Sequence, residues 1–285
     1  PQSQKVKVGL ITSDAPGNVR IAAPGAKSVR LFTDYAREAE NLTARGAQFI
    51  IMPEKIATAT DTTTGDMDAI FQPLADKTGS TIVVGLVHTS PPHEYNQARA
   101  YTPQAPIASY DKHHMLPPFE SNLTPGTTLT LLPQAQETRG VAICKDMDFT
   151  PLSRRYGNAG AGLMLVPGWD FNIDGAWHGH IAVMRGVEDG FSVARAAKNG
   201  YLTVSDDRGR IVAETRSDSA PFATLLTDVP AAHDRTLYLL LGNWFAWLSF
   251  ALCGLTLLRL VSLRGRVPSA ATTDSSIDNR ALSSR

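Results

Sequence analysis

Cys144 closes the apolar run Gly140-Val141-Ala142-Ile143 and is followed by the polar stretch Lys145-Asp146-Met147-Asp148. A strand fixes the backbone of a thiol placed there, and the turn that follows offers N–H groups to an oxyanion. A free thiol, with a pKa of ~8.5, is mostly protonated at neutral pH, so a nucleophilic cysteine needs a base or a cation beside it. Taken alone, Cys144 also reads as a packed small hydrophobe. Three charged residues share its placement. Phe49-Ile50-Ile51-Met52-Pro53 is an apolar strand that delivers Glu54, and proline stops the strand there. Lys112 follows Ser109-Tyr110-Asp111 at another strand end, and Glu120 comes eight residues later, after Pro117-Pro118. Each alone reads equally as a solvated surface charge. A carboxylate, a lysine and a thiol brought together would do acyl chemistry. The carboxylate accepts the thiol proton, and the cation favours the thiolate and then the oxyanion. The same carboxylate then activates a second acceptor, either water or an amine.

The elements that must position these residues alternate between strand and helix. Lys5 to Ile11 is predicted as a strand and Ser28 to Arg45 as an amphipathic helix, followed by a short apolar strand from Ala47 to Met52. A helix over Asp66 to Lys77 precedes a β-rich run from Thr81 to Val87. The segments Ala98 to Thr102 and Ile107 to Asp111 form a hairpin pair. Arg139 to Cys144 and Gly162 to Val166 are buried-type strands around a short helix near Pro151 to Tyr156. A long helix from Trp177 to Ala197 leads to three closing strands, Tyr201 to Ser205, Arg210 to Glu214 and Ala223 to Asp228. The pattern predicts an α/β fold with helices layered on mixed sheets.

Composition narrows the classes. In 285 residues, 27 Lys+Arg balance 27 Asp+Glu, which argues against nucleic-acid binding by bulk positive charge. Apolar residues at 43% against 19% charged exclude a mainly disordered chain, and two cysteines exclude a disulfide scaffold. His113, His114, His178 and His180 lack a companion set with ligand spacing, so no metal is expected, and no cofactor. The glycine-rich Gly157-Asn158-Ala159-Gly160-Ala161-Gly162 lacks the Lys-Ser/Thr of a phosphate loop.

Pro-Glu after an apolar strand, then Tyr110-Asp111-Lys112-His113-His114 with Glu120 beyond, then Val141-Ala142-Ile143-Cys144, resembles the nitrilase superfamily from Lys5 to Asp228. The resemblance implies a four-layer α-β-β-α sandwich. It also implies Glu54 as general base, Lys112 as stabiliser of the tetrahedral intermediate, Cys144 as nucleophile and Glu120 as the residue that orients the site. On the same ground Trp169, within Gly168-Trp169-Asp170, is assigned to substrate binding. Lys145 and Asp146 stand where the family usually has an aromatic residue and Glu. They are assigned there too, Lys145 as a second cation near the thiol.

From Leu237 to Leu258 no side chain is charged. As a helix these 22 residues span about 33 Å, against roughly 30 Å of hydrocarbon. Residues 236–263 are therefore expected to cross a membrane, with a catalytic domain over 1–232 and a disordered tail over 264–285. Arg259, Arg264 and Arg266 at the far end place the tail in the cytoplasm and the domain outside. With no signal peptide before the first strand, the chain is expected to be the C-terminal part of a longer membrane protein. Within the superfamily, Leu241-Gly242-Asn243-Trp244 and the apolar helix resemble apolipoprotein N-acyltransferase. That implies a bacterial inner-membrane enzyme moving an acyl chain from a phospholipid to the N-terminal amine of a lipoprotein. A membrane-tethered amidase and a catalytically silent binding domain are the alternatives. Intact Glu54, Lys112 and Cys144 argue against the silent domain.

Overall fold

The structure, a computed structural model, describes residues 5–133 and 138–264. In chain order the elements are β1 (Lys5–Thr12), α1 (Ala26–Ala44), β2 (Phe49–Ile51), β3 (Thr58–Thr60), α2 (Thr64–Thr78), β4 (Thr81–Ser90), β5 (His93–Tyr101) and β6 (Ala108–Asp111). Then come β7 (Thr130–Pro133), β8 (Thr138–Val141), a 3-10 turn at Cys144–Asp148, α3 (Thr150–Asn158), β9 (Ala161–Trp169), α4 (Gly175–Asp189) and β10 (Ser192–Lys198). The chain continues through β11 (Tyr201–Ser205), β12 (Ile211–Arg216), β13 (Ala223–Pro230), α5 (Leu237–Leu241) and α6 (Trp244–Arg264). It forms two compact units, one ending at Leu240 and the other beginning at Leu241.

The first unit is built on two mixed sheets, ordered β13-β1-β2-β4-β5-β6 with β3 beside β4, and β12-β11-β10-β9-β8-β7. β1, β2 and β4 run parallel in one sheet, and β8, β9 and β10 in the other. Alternate side chains of the first sheet enter different cores, because successive residues of a strand point to opposite faces. Phe49 and Ile51 pack between the sheets with Val141, Ile143 and Leu165. Ile50, Ile82 and Val84 pack under α1 and α2 with Leu31, Phe32, Tyr35 and Phe71. With both faces covered, these strands are apolar throughout. α3 and α4 cover the outer face of the second sheet, which completes the α-β-β-α sandwich.

Several elements depart from the sequence reading. The helix expected from Trp177 to Ala197 ends at Asp189, where Gly190 takes φ 74° and turns the chain into β10. A Cβ on Gly190 would sit 1.7 Å from the carbonyl oxygen of Asp234, so the turn has room only for glycine. The strand expected to end at Cys144 stops at Val141. β5 begins at His93, five residues before the expected strand, and β3 and β7 were not expected. The uncharged run from Leu237 is broken at Gly242-Asn243, so α6 begins at Trp244 and runs through Arg259. Over Trp244–Ser262 α6 is long and apolar enough to cross a membrane, and none of it is buried within the molecule. The tail expected over 264–285 lies, from residue 265 on, outside the described residues.

Candidate active site

Glu54 leaves the end of β2 buried, and two features fix it. Its backbone N–H donates to the carbonyl of Gly168 at 3.2 Å, joining the end of one sheet to β9 of the other. Gly85 in β4 lies against it so closely that a Cβ there would meet the Pro53 oxygen at 2.3 Å and the Glu54 Cα at 2.7 Å. Glycine at 85 therefore sets how deep the carboxylate sits.

Around Glu54 lies a buried group of opposite charges. Lys112 Nζ donates to Glu54 Oε1 at 3.1 Å and to Glu120 Oε2 at 2.8 Å. Asn96 from β5 donates to Glu54 Oε1 at 2.6 Å and to Glu120 Oε1 at 2.7 Å. Lys55 Nζ reaches Glu120 Oε1 at 2.5 Å and Glu54 Oε1 at 3.4 Å. The Leu116 N–H donates to Glu120 Oε2 at 2.9 Å. The two carboxylates are not equivalent. Both oxygens of Glu120 are saturated, whereas Glu54 Oε2 is buried and has no protein partner. A buried acceptor oxygen left open can take a proton, so of the two carboxylates Glu54 is the one free to accept, while Glu120 is engaged with the lysines.

Cys144 opens the 3-10 turn with φ 46°, a left-handed backbone that a side chain rarely adopts. Such a residue persists only where its surroundings over-determine it. Asp146 does that here. One oxygen accepts from the Ile143 N–H at 3.2 Å and the Tyr110 hydroxyl at 2.8 Å; the other accepts from the His113 and His114 N–H groups at 3.2 and 2.9 Å. Asp146 thereby ties the cysteine turn to the segment after Lys112. It is fully buried, is absent from the lining of the cavity beside the thiol, and braces the turn. The Cys144 thiol donates to the Trp169 carbonyl at 3.5 Å, and Arg195 Nη2 lies 3.9 Å from the sulfur. Arg195 is itself buried and held by both oxygens of Asp170, at 2.9 and 2.5 Å.

Burial raises the Cys144 thiol to about 12, with Glu54 adding to the rise and Lys112 and Arg195 opposing it. Burial would raise Glu54 as well, but Lys112, Lys55 and the Asn96 hydrogen bond hold its carboxyl below the usual range. Burial would lower Lys112, but Glu54, Cys144 and Glu120 hold it above the usual lysine range. The resting site thus pairs a neutral thiol with a carboxylate and an ammonium. That state suits proton transfer concerted with attack, not a preformed thiolate.

The thiol opens into a cavity of about 110 Å³ lined by Glu54, Lys55, Lys112, Glu120 and Cys144 on its polar side and by Leu116, Phe119, Trp169 and Phe171 on its apolar side. Lys145 is absent from this lining. Its ammonium lies 3.6 Å from Asp148 and over the Phe149 ring, so the second cation at the pocket is Lys55. The histidines are engaged elsewhere. His113 stacks on Tyr110, His114 on Phe149, and His178 faces Asp148 and Asp174. Sequence reasoning missed Lys55, Asn96, Asp170 and Arg195. Only Lys55 and Asp170 carried a signal, as neighbours of Glu54 and Trp169.

Residues 25–229 match the carbon-nitrogen hydrolase family. The chain belongs to that family. Its solved neighbours include an amidase of the nitrilase superfamily from Nesterenkonia sp. AN1, at 18% identity and TM-score 0.68 over 81% of this chain and 92% of that one. Saccharomyces cerevisiae Nit3, of branch 10 of the superfamily, superposes at 21% identity and TM-score 0.65 over 79% and 90%. These neighbours establish the nitrilase fold. Among curated proteins, the apolipoprotein N-acyltransferase of Vibrio vulnificus (strain CMCP6) is 26% identical over 88% of this chain and 56% of its own length. That of Geobacter metallireducens (strain ATCC 53774 / DSM 7210 / GS-15) is 29% identical over 50% and 31%. The chain spans about half the length of the curated relatives it matches first. The matched stretch ends before α5 and α6, so the apolar helix lies outside it.

Proposed function

We propose that the chain is the catalytic portion of a membrane-bound N-acyltransferase, which passes an acyl chain from a phospholipid through a Cys144 thioester to the N-terminal amine of a lipoprotein. The observation that carries this reading is the apolar mouth beside the thiol. Phe119 and Phe171 line the cavity, stand 5.4 Å apart by ring centroid, and remain 68% and 46% exposed. Ile173 on the same loop is 91% exposed. A cavity of about 110 Å³ lies far below the roughly 300–1,000 Å³ of pockets that enclose whole small molecules. It holds a reacting carbonyl, while the rest of an acyl chain leaves across the exposed aromatic rim. The names of the relatives support the same substrate class.

In the first half-reaction Glu54 Oε2 takes the thiol proton as sulfur attacks the ester carbonyl, and the Lys112 ammonium stabilises the oxyanion. Collapse of the tetrahedral adduct expels the lysophospholipid alkoxide, which leaves with the proton from Glu54. In the second half-reaction the amine attacks the thioester and gives its proton to Glu54, which returns it to the departing thiolate. Trp169 and the aromatic rim keep water from the thioester. The purified chain, given phospholipid and a diacylated lipopeptide, is expected to N-acylate the peptide. Without acceptor, its thioester should persist for minutes. The second reading, an amidase, is favoured by the smallness of the cavity. Rapid loss of the thioester to water, with turnover of simple amides, would establish that reading instead.

The same proposal places α6 across the bacterial inner membrane with the catalytic domain on the extracytoplasmic side, since Arg259 and the arginines after it mark the cytoplasmic end. A reporter fused after Arg285 should then be cytoplasmic, and a cysteine introduced at Ser90 should react with an impermeant label from outside. Labelling of both positions from one side refutes the orientation.

A further inference from the structure

Lys198, the last residue of β10, is fully buried, and nothing in the acyl-transfer steps uses it. Its Nζ donates to the carbonyls of Val19 at 3.2 Å and Lys55 at 3.0 Å, and sits 3.6 Å from the centroid of the Trp169 ring. Among the described residues no carboxylate lies within ion-pair distance of it. Burying an ammonium without a carboxylate is costly, and a methionine would fill the same space without that cost. What lysine adds here is a charge on the face of an indole and two donors to loop carbonyls. Both attachments lead to the pocket. Trp169 forms part of its wall and its carbonyl holds the Cys144 thiol, while Lys55, with its backbone at φ 49°, also lines it and has its own ammonium 5.5 Å from the Trp169 ring centroid.

We propose that Lys198 is a positioning residue of the thiol pocket: its ammonium pins the Trp169 indole and the Lys55 backbone in place, and deprotonation releases the indole. The proposal concerns the pocket wall and does not depend on which acyl donor or acceptor the enzyme uses. The charged groups that face Lys198 are Glu54 and Asp14, which favour the ammonium, and Lys55, which opposes it. Burial outweighs them and lowers Lys198 to about 7. The indole face favours the charged form and pulls in the other direction. The midpoint of this titration is therefore sought from about 7 up to the ~10.4 of an exposed lysine. The sign follows: the indole is pinned below that midpoint and freed above it.

The chain has four tryptophans, at 169, 177, 244 and 247. With Trp177→Phe, Trp244→Phe and Trp247→Phe in the full chain, Trp169 is the sole reporter, and an ammonium on one face of the indole displaces its emission. Its emission maximum is expected to shift with one midpoint inside that window. Lys198→Met should abolish the transition. Lys198→Arg, which stays charged, should hold the acid-side spectrum throughout. In turnover assays kcat/KM should fall above the same midpoint and stay level in Lys198→Arg. An emission maximum that does not move across the window, or a transition that survives in either variant, overturns the proposal. Should Lys198→Met not fold, Lys198→Arg decides alone. A failure of acyl transfer leaves the spectral result standing, so the two proposals fail separately.

Discussion

Cys144→Ser is expected to lower turnover by at least ~10³-fold, whereas Cys253→Ser should leave it within about twofold. The asymmetry follows from where the two thiols sit. Cys253 is an exposed position on the apolar helix α6, outside the carbon-nitrogen hydrolase portion. Cys144 lies between the Trp169 carbonyl and the Arg195 guanidinium, in a cavity shared with Glu54 and Lys112. With its pKa at about 12 the thiol is a weak nucleophile until Glu54 takes its proton. A serine hydroxyl is a still weaker acid, so the same base cannot activate it equally. Protein incubated with an acyl donor should carry one acyl group, on Cys144, by mass spectrometry of its peptides. An adduct confined to Cys253, or normal turnover in Cys144→Ser, excludes the mechanism.

Glu54 and Cys144 were legible because each follows a buried apolar run, and a polar residue after such a run marks the carboxyl end of a strand. Lys112 follows the mixed strand β6 and was legible only together with them, by order and spacing. The residues that hold them were not legible, for a different reason. Asn96 lies in β5, whose first half is polar, so local pattern started the strand too late. Arg195 sits in Ser-Val-Ala-Arg-Ala-Ala-Lys, a stretch rich in helix formers. Burial on both sides makes it a strand, and the charge of Arg195 is tolerated only because Asp170, twenty-five residues earlier, meets it there. Lys145 misled by adjacency. The positive φ at Cys144 turns the chain, the Lys145 ammonium lies at Asp148, and the second cation in the pocket beside Lys112 is Lys55, from the segment after β2 of the other sheet. Distant pairings of this kind leave no local trace.

Lys112→Met should remove activity and, more tellingly, destabilise the fold by about 3–5 kcal/mol, because it strips the central cation from two buried carboxylates. The companion variant Lys112→Met/Glu120→Gln removes one of the stranded charges and should recover much of that stability, yet remain inactive for want of the oxyanion-stabilising ammonium. The pH dependence separates this from loss of packing. In the unaltered protein the Glu54 carboxyl is held below its unfolded value of ~4.3, so the stability it contributes is present above that pH and is lost as pH falls through the folded value. In Lys112→Met the largest opposing charge is gone, and only Lys55 and the Asn96 hydrogen bond still act against burial, so the carboxyl moves up toward its unfolded value. The variant should therefore lose less stability than the unaltered protein as pH falls from about 5 to 3, because less of the Glu54 contribution is left to lose. Denaturant midpoints at the two pH values measure the effect. A Lys112→Met protein as stable as the original at neutral pH, or one that loses as much stability on acidification, would show that Lys112 does not carry the charge balance of Glu54 and Glu120.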